Sequence, residues 1–228
     1  MQLIVKDAAR LLSVSEKTIY RWIEEGILPA YRVNEQYRFN RAELLEWATA
    51  HKVRVSPDIY KEVGGDAADL PSLESALAAG GVHGAVSAPD KTAALRSAVQ
   101  RIRLPEDADR GYLLDVMLAR EANASSGVGE GVAMPHVRNP VVLNLDQPMV
   151  ALCYLEPPVD FGADDKQPVH TVFTILSASI RGHLHMLSRL AYAMHDPEFK
   201  ALLARHAGEA EVVACARRIE SGLKGGPA

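Results

Sequence analysis

The stretch Gly127-Val128-Gly129-Glu130-Gly131-Val132-Ala133-Met134-Pro135-His136 ends a glycine-rich segment on a single histidine, and its reading decides the fold. Glycines at alternate positions let the backbone reach positive φ and turn N–H groups toward an anion, as in an anion-binding nest. Gly127, Gly129 and Gly131 are therefore candidate phosphate-binding positions. Pro135 holds Met134 extended and removes one donor, so His136 leaves the segment in a restricted direction. A neutral imidazole, with an ordinary pKa of about 6.5, is a competent nucleophile near neutral pH. The pattern points to a phosphohistidine. Two rival motifs fail: no Lys-Ser/Thr follows the glycines as in a P-loop, and neither Ser125 nor Ser126 is the serine of a G-x-S-x-G elbow.

These residues resemble the active-site signature of enzyme IIA domains of the fructose/mannitol type, including the nitrogen-regulatory members of the phosphotransferase system. The resemblance extends upstream to Arg120-Glu121 and Ser125-Ser126, and downstream to Gly182-His183-Leu184-His185-Met186-Leu187. It covers roughly residues 70–222. It implies an α/β domain, a mixed sheet flanked by helices, with His136 as phosphoryl acceptor and His183 as second active-site histidine. It also implies a partner, a histidine-containing phosphocarrier protein. One departure is Val137-Arg138, where the family commonly has a small residue after the histidine.

Phosphoryl transfer asks a protein to align donor and acceptor and to stabilise charge on the equatorial oxygens. Arg120 could supply paired N–H donors, and the hydroxyl of Ser125 or Ser126 one more. The alternatives are a salt bridge from Arg120 to Glu121 and turn hydrogen bonds for the serines. His183 and His185 lie about 200° apart around a helix, so both do not point into one site. His183 falls with Leu187, Leu190 and Met194 on the inward face, while His185 falls with Ser188, Arg189 and Tyr192 on a more polar one. For His183 the alternative is a satisfied, semi-buried histidine. The same spacing disfavours a metal site, and no metal or other cofactor is expected.

The first 53 residues read as a separate module. Ala8, Ala9, Leu11 and Leu12 give one short helix; Ser15 caps a second through Ile19, Trp22 and Ile23, which Gly26 closes and Pro29 keeps closed. Tyr31-Arg32-Val33 and Tyr37-Arg38-Phe39 flank a tight turn, and Asn40, with Glu43 at the capping-box position, starts a third helix through Leu44, Leu45 and Trp47. This order resembles the MerR/excisionase class of winged helix-turn-helix DNA-binding domains. The resemblance is carried by residues 7–15, by Thr18-Ile19-Tyr20-Arg21-Trp22 and by Gly26-Ile27-Leu28-Pro29-Ala30. In the DNA-binding reading the second helix enters the major groove, so that Lys17, Thr18, Tyr20 and Arg21 contact bases or phosphates while Arg32 and Arg38 grip the backbone. The alternative is a three-helix packing module with solvated arginines. Small modules of this kind use two half-sites, so a homodimer on DNA is expected.

Composition fits this division. Residues 1–54 hold nine Lys/Arg against seven Asp/Glu, leaving 16 against 22 in the rest of a chain of 228 residues. The acidic remainder argues against nucleic-acid contact there. Residues 54–69, with Ser56-Pro57 and Gly64-Gly65-Asp66, read as a linker to a domain over residues 70–222. In that domain helices are expected over residues 91–102, 107–121 and 183–195 and near the C-terminus, and strands over 148–155 and 169–176. Cys153 and Cys215, with no CxxC, are expected to be buried hydrophobes. No apolar run approaches a membrane span and no signal sequence opens the chain, so a cytoplasmic protein is expected. The expected function is a DNA-binding regulator whose IIA domain is phosphorylated on His136, linking phosphotransferase-system state to transcription. The alternative is a phosphoryl relay component of a sugar phosphotransferase system that uses the N-terminal module for docking.

Overall fold

In the computed structural model the described residues are 3–33, 36–39, 44–45, 47–48, 51, 53, 55–56, 70–106, 108–135, 145–177 and 179–224. They belong to two compact units, residues 1–68 and 69–228.

In the first unit, helices α1 (Val5–Leu11) and α2 (Glu16–Glu24) precede a hairpin of strands β1 (Tyr31–Val33) and β2 (Gln36–Arg38). Residues 44, 45, 47 and 48 are helical, whereas Asn40 and Glu43, expected to start that helix, lie outside the described residues. Ser15 caps α2 as its sequence position predicts, its hydroxyl accepting the Thr18 N–H at 3.2 Å. Leu3 and Phe39 exchange backbone hydrogen bonds of 3.0 and 2.9 Å, so the lead-in pairs with the residue beyond the hairpin. Leu3, Ala8, Leu11, Leu12, Ile19, Leu28, Phe39, Leu44, Leu45 and Ala48 are buried. Gly26 at φ +69° ends α2 with open space around it, so it is chosen for conformation alone.

The second unit carries helices α3 (Leu73–Gly80), α4 (Lys91–Arg101), α5 (Arg110–Asn123), α6 (Ile180–Ala193), α7 (Pro197–Ala204) and α8 (Glu209–Lys224). Its strands are β3 (Val82–Val86), β4 (Gly127–Gly129), β5 (Val132–Ala133), β6 (Met149–Val159) and β7 (Val169–Leu176). They form a mixed sheet in the order β3-β6-β7-β5-β4. The pairs β3–β6 and β5–β7 are parallel; β6–β7 and β4–β5 are antiparallel.

Strand periodicity distributes β6 between two layers. Ala151, Cys153 and Leu155 join Leu95, Val99, Leu113 and Met117 of α4 and α5 in one core. Intervening residues face the other side: Gly80 of α3 lies on Val150, where a Cβ would sit 2.3 Å from the carbonyl oxygen, and Tyr154 donates at 2.9 Å to the carbonyl of Ala207, between α7 and α8. Burial pushes the Cys153 thiol up to about 12, as suits a packed hydrophobe. Both faces of the central strands are covered, which explains why β6 and β7 read as continuous apolar runs.

Asp109 caps α5, so this helix starts at Arg110, later than the expected residue 107. Strand β6 runs to Val159, four residues past its expected end. Arg103, beyond α4, grips Glu209 at the start of α8 with bonds of 3.2 and 2.8 Å. That guanidinium holds the Glu209 carboxyl below its ordinary value of 4.5, with the Val82 N–H assisting against partial burial. A depressed folded-state pKa contributes stability above the unfolded value, and the contribution is lost as pH falls through the folded one. Denaturant titrations of wild type and Glu209→Gln are therefore expected to differ at neutral pH and to converge below the ordinary glutamate range.

Candidate active site

Strands β4 and β5 form a tight hairpin whose tip combines three successive left-handed residues, Gly129 (φ 88°), Glu130 (φ 55°) and Gly131 (φ 72°). Read from sequence, these glycines formed a cradle for phosphate. The structure gives much of this backbone to the protein itself: Glu130 N–H donates to Asp165 at 2.7 Å and Gly127 N–H to the Ser125 hydroxyl at 3.0 Å. The Gly131 carbonyl accepts the N–H groups of His170 and Thr171 at 2.8 and 3.1 Å. Side-chain space is also closed. A Cβ on Gly127 would stand 2.7 Å from that of Ala163, and one on Gly131 would stand 2.3 Å from the His170 ring. The Asp165 carboxylate at the tip further opposes an anion. Gly127 and Gly131 thus set the hairpin's path, a role that periodicity alone does not distinguish from a nest.

The hairpin aims the chain. Strand β5 runs parallel to β7 with Val132 opposite Thr171 and Ala133 opposite Val172, so it leaves the sheet at the edge where β7 also ends. The Met134 N–H, bonded to the Ser126 carbonyl at 2.9 Å, extends the guidance past the last strand residue, and Met134 and Pro135 are buried. His136, Val137 and Arg138 lie outside the described residues. On the same edge β7 passes through Ser177 into α6, where the Ser179 hydroxyl accepts the Gly182 N–H at 3.0 Å. Carboxyl ends of parallel strands beside a helix N-terminus are where α/β folds present ligands.

The last turn of α5 completes this edge. Glu121 is only 4 % exposed, and its two carboxylate oxygens accept the Ser126 N–H at 3.2 and 3.1 Å. Its ionic partner is Lys91 at 3.8 Å. Arg120 donates instead to the Ala124 carbonyl at 2.7 Å, folding over the C-terminal end of its own helix. The two serines, equivalent in sequence, separate here. The Ser125 hydroxyl donates to the Phe161 carbonyl at 2.7 Å and accepts from Gly127, which is the turn-forming alternative. Ser126 is 4 % exposed, and among the described residues its Oγ has no hydrogen-bond partner. A buried unsatisfied hydroxyl costs about 1–3 kcal/mol and calls for an explanation such as a ligand.

His183 and His185 are each 6 % exposed. His183 is buried in the first turn of α6 with Leu187 and Leu190, as its spacing predicts. His185 departs from expectation: its side of the helix is covered too, and Nε2 donates to the Pro71 carbonyl at 2.9 Å. Ser188 is likewise buried, and Arg189 reaches Glu220 of α8 at 3.8 Å. Helix α6 lies among β7, α3 and α8, so polar residues on its second face signal interior hydrogen bonds rather than solvent.

Sequence reasoning missed a further histidine pair beside the hairpin. The His170 ring lies against Gly131 with its Nδ1 2.8 Å from the Thr171 hydroxyl, and its centroid is 6.0 Å from that of His206, which stacks on Tyr154. Burial, and secondly the charge of His206, lowers the pKa of His170. No local signal joins residues 36 positions apart in sequence. Asp196, Glu198 and Cys215 have potential metal-ligating atoms within 4.8 Å of one another. The Arg218 guanidinium already serves this group as cation, 2.8 Å from Asp196 and 3.1 Å from Glu198.

In the N-terminal unit Lys17, Tyr20 and Arg21 of α2 are exposed. Thr18 is half-buried and its hydroxyl lies 2.9 Å from that of Ser15, which draws it into the helix cap. Tyr20 meets Tyr37 of the hairpin edge-on with centroids 6.1 Å apart, so α2 and β2 present one aromatic surface. Arg38 lies along the hairpin, donating to Gln36 Oε1 at 2.8 Å. The side chain of Arg32 is outside the described residues. Among the described residues no helix is long and apolar enough to cross a membrane.

Comparison with known proteins is consistent with both units. The family described as phosphoenolpyruvate-dependent sugar phosphotransferase system, EIIA 2, matches residues 77–217, and a helix-turn-helix domain family matches residues 3–52. The nitrogen regulatory protein of Pseudomonas aeruginosa is 38 % identical over 95 residues, covering 41 % of this chain and 58 % of its own length. A transcriptional repressor of Methylorubrum extorquens, DcmR, is 42 % identical over 55 residues, covering 23 % of this chain and 21 % of its own. The chain thus spans less than two thirds of the length of these relatives. The crystal structure of nitrogen regulatory protein IIA-Ntr from Neisseria meningitidis superposes with a TM-score of 0.52 at 26 % identity, covering 64 % of this chain and 95 % of that one.

Proposed function

The chain belongs to the EIIA 2 family of the phosphoenolpyruvate-dependent sugar phosphotransferase system and carries an N-terminal helix-turn-helix domain, and on that premise we propose that it is a phosphorylation-controlled DNA-binding regulator of the cytoplasm. His136 takes a phosphoryl group from a histidine-containing phosphocarrier protein, and the phosphorylated state changes operator binding by residues 1–53, which act as a dimer on two half-sites. Residues 54–69 are the linker and residues 70–222 the phosphoryl-accepting domain.

In the transfer, a ring nitrogen of His136 attacks the phosphorus of the carrier's phosphohistidine. One N–P bond forms as the other breaks, and the electron pair returns to the carrier's imidazole. A proton passes from the accepting ring to the departing one, so the exchange needs no other reactant. His183 at the start of α6 orients His136 or hydrogen-bonds phosphate, and Arg120 and Ser126 offer donors to the equatorial oxygens. On this reading the three glycines shape the approach rather than form the main phosphate contacts, and Ser125 holds the turn.

The observation that carries the reading is the Ser126 hydroxyl, buried beside the backbone that leads into His136 and without a hydrogen-bond partner among the described residues. A phosphate oxygen would satisfy it. The N-terminal part rests on the exposed Lys17, Tyr20 and Arg21 of α2 next to Tyr37. The helix-turn-helix match and the repressor among the relatives support a role at DNA.

Labelling with phosphoenolpyruvate, enzyme I and a histidine phosphocarrier is expected to modify wild type once and to leave His136→Ala unlabelled. Undiminished labelling of that variant would remove His136 as acceptor. Selection of binding sites from random DNA should yield a two-half-site sequence bound differently by the phosphorylated protein; equal affinity in both states would favour the relay instead.

A further inference from the structure

We propose that α6 conveys the phosphorylation state of the His136 site to the interdomain linker through the hydrogen bond from His185 to the Pro71 carbonyl. The inference rests on the phosphoryl-acceptor reading above and adds the route by which that site reaches the rest of the chain.

One helical turn carries both ends of the connection. His183 and His185 are separated by about 3 Å along the axis and about 200° around it, and both are buried. His183 is on the side assigned to the phosphoryl site. His185 is bonded at 2.9 Å to Pro71, in the short segment between the linker and α3. Four residues along α6, Arg189 lies 3.8 Å from Glu220. The buried Glu220 carboxylate in turn accepts the first N–H groups of α3, from Leu73 at 2.8 Å and from Glu74 at 3.4 Å. Helix α6 thus holds the beginning of α3 twice, directly through His185 and indirectly through Arg189 and Glu220.

The start of α6 leaves little slack. A Cβ on Gly182 would lie 2.6 Å from Pro148 Cγ and from the Ser177 hydroxyl, so the first turn is seated closely on the residues where β7 ends. On the acceptor reading His183 meets the phosphoryl group, which then brings about −1.5 to −2 charges and new acceptor oxygens to that turn. Close packing converts such a change into movement of a rigid element, and the hydrogen bonds at α3 are where the movement becomes a change of state. The ordinary role of a buried histidine–carbonyl bond is to satisfy two polar groups. Here it joins the helix of the reacting site to the backbone on which the DNA-binding unit is tethered.

Hydrogen exchange on the full chain, before and after phosphorylation by phosphoenolpyruvate, enzyme I and the phosphocarrier, tests the proposal, with incorporation followed by intact mass. Exchange at Leu73 and Glu74 is expected to change by about threefold or more, in either direction, while amides of α4 stay constant. In His185→Ala, labelling is expected to persist and that change to disappear. Normal labelling with unaltered exchange at Leu73 and Glu74 would overturn the connection and leave the acceptor reading standing. A full exchange response in His185→Ala would overturn it as well. If His185→Ala does not fold, the wild-type comparison decides alone, and a wild type that takes up no phosphoryl group refutes the acceptor reading and this inference together.

Discussion

Ser126→Ala is expected to slow phosphoryl transfer to His136 by about 10²-fold while leaving the fold intact or slightly more stable. Removing one preorganised donor from developing charge typically costs on that order in rate. The buried Oγ has no partner among the described residues, so its deletion sacrifices no hydrogen bond there and relieves a desolvation cost. Ser125→Ala should behave in the opposite way. Its hydroxyl joins Phe161 to Gly127, so the variant should lose about 1–2 kcal/mol of stability and keep most of its rate. Single-turnover transfer from a labelled phosphocarrier, paired with denaturant melts, measures both. Equal slowing in the two variants would show that the Ser126 hydroxyl has no special role.

Gly131→Ala is expected to destabilise the C-terminal unit by about 2–4 kcal/mol, adding the strain of an alanine at positive φ to overpacking against a ring. The φ is 72°, and the new Cβ would stand 2.3 Å from His170. For a unit of this size the melting temperature should fall by roughly 5–15 °C. Gly162→Ala supplies the control, because its φ of 71° is nearly the same but nothing lies within 4 Å of the added carbon. That variant should lose about 1 kcal/mol or less. Calorimetry separates the two, and equal losses would mean that contact with His170 contributes nothing.

The paired variants mark the boundary between local and long-range information. Ser15 and Gly26 were legible because a helix cap depends on a few neighbouring residues, and the structure keeps both roles. The strand at Val169–Leu176 was legible for a related reason, since a run of apolar and β-branched residues has little to do but lie inside a sheet. The helix Leu73–Gly80 and the strand Val82–Val86 were not anticipated. Each is short, and each takes its definition from β6 and α8 rather than from a pattern of its own.

The amino-acid sequence by itself determined two units of different kinds, the family of the larger one, and His136 as its reactive candidate. Motifs and caps are properties of adjacent residues, so no folding is needed to read them. Tertiary structure alone decided that Glu130 spends its N–H group on Asp165, that the Ser126 hydroxyl has no partner among the described residues while that of Ser125 reaches Phe161, and that His185 turns to Pro71. Each of these depends on which distant group occupies the space beside a polar atom. Sequence lists the donors and acceptors, and only packing pairs them.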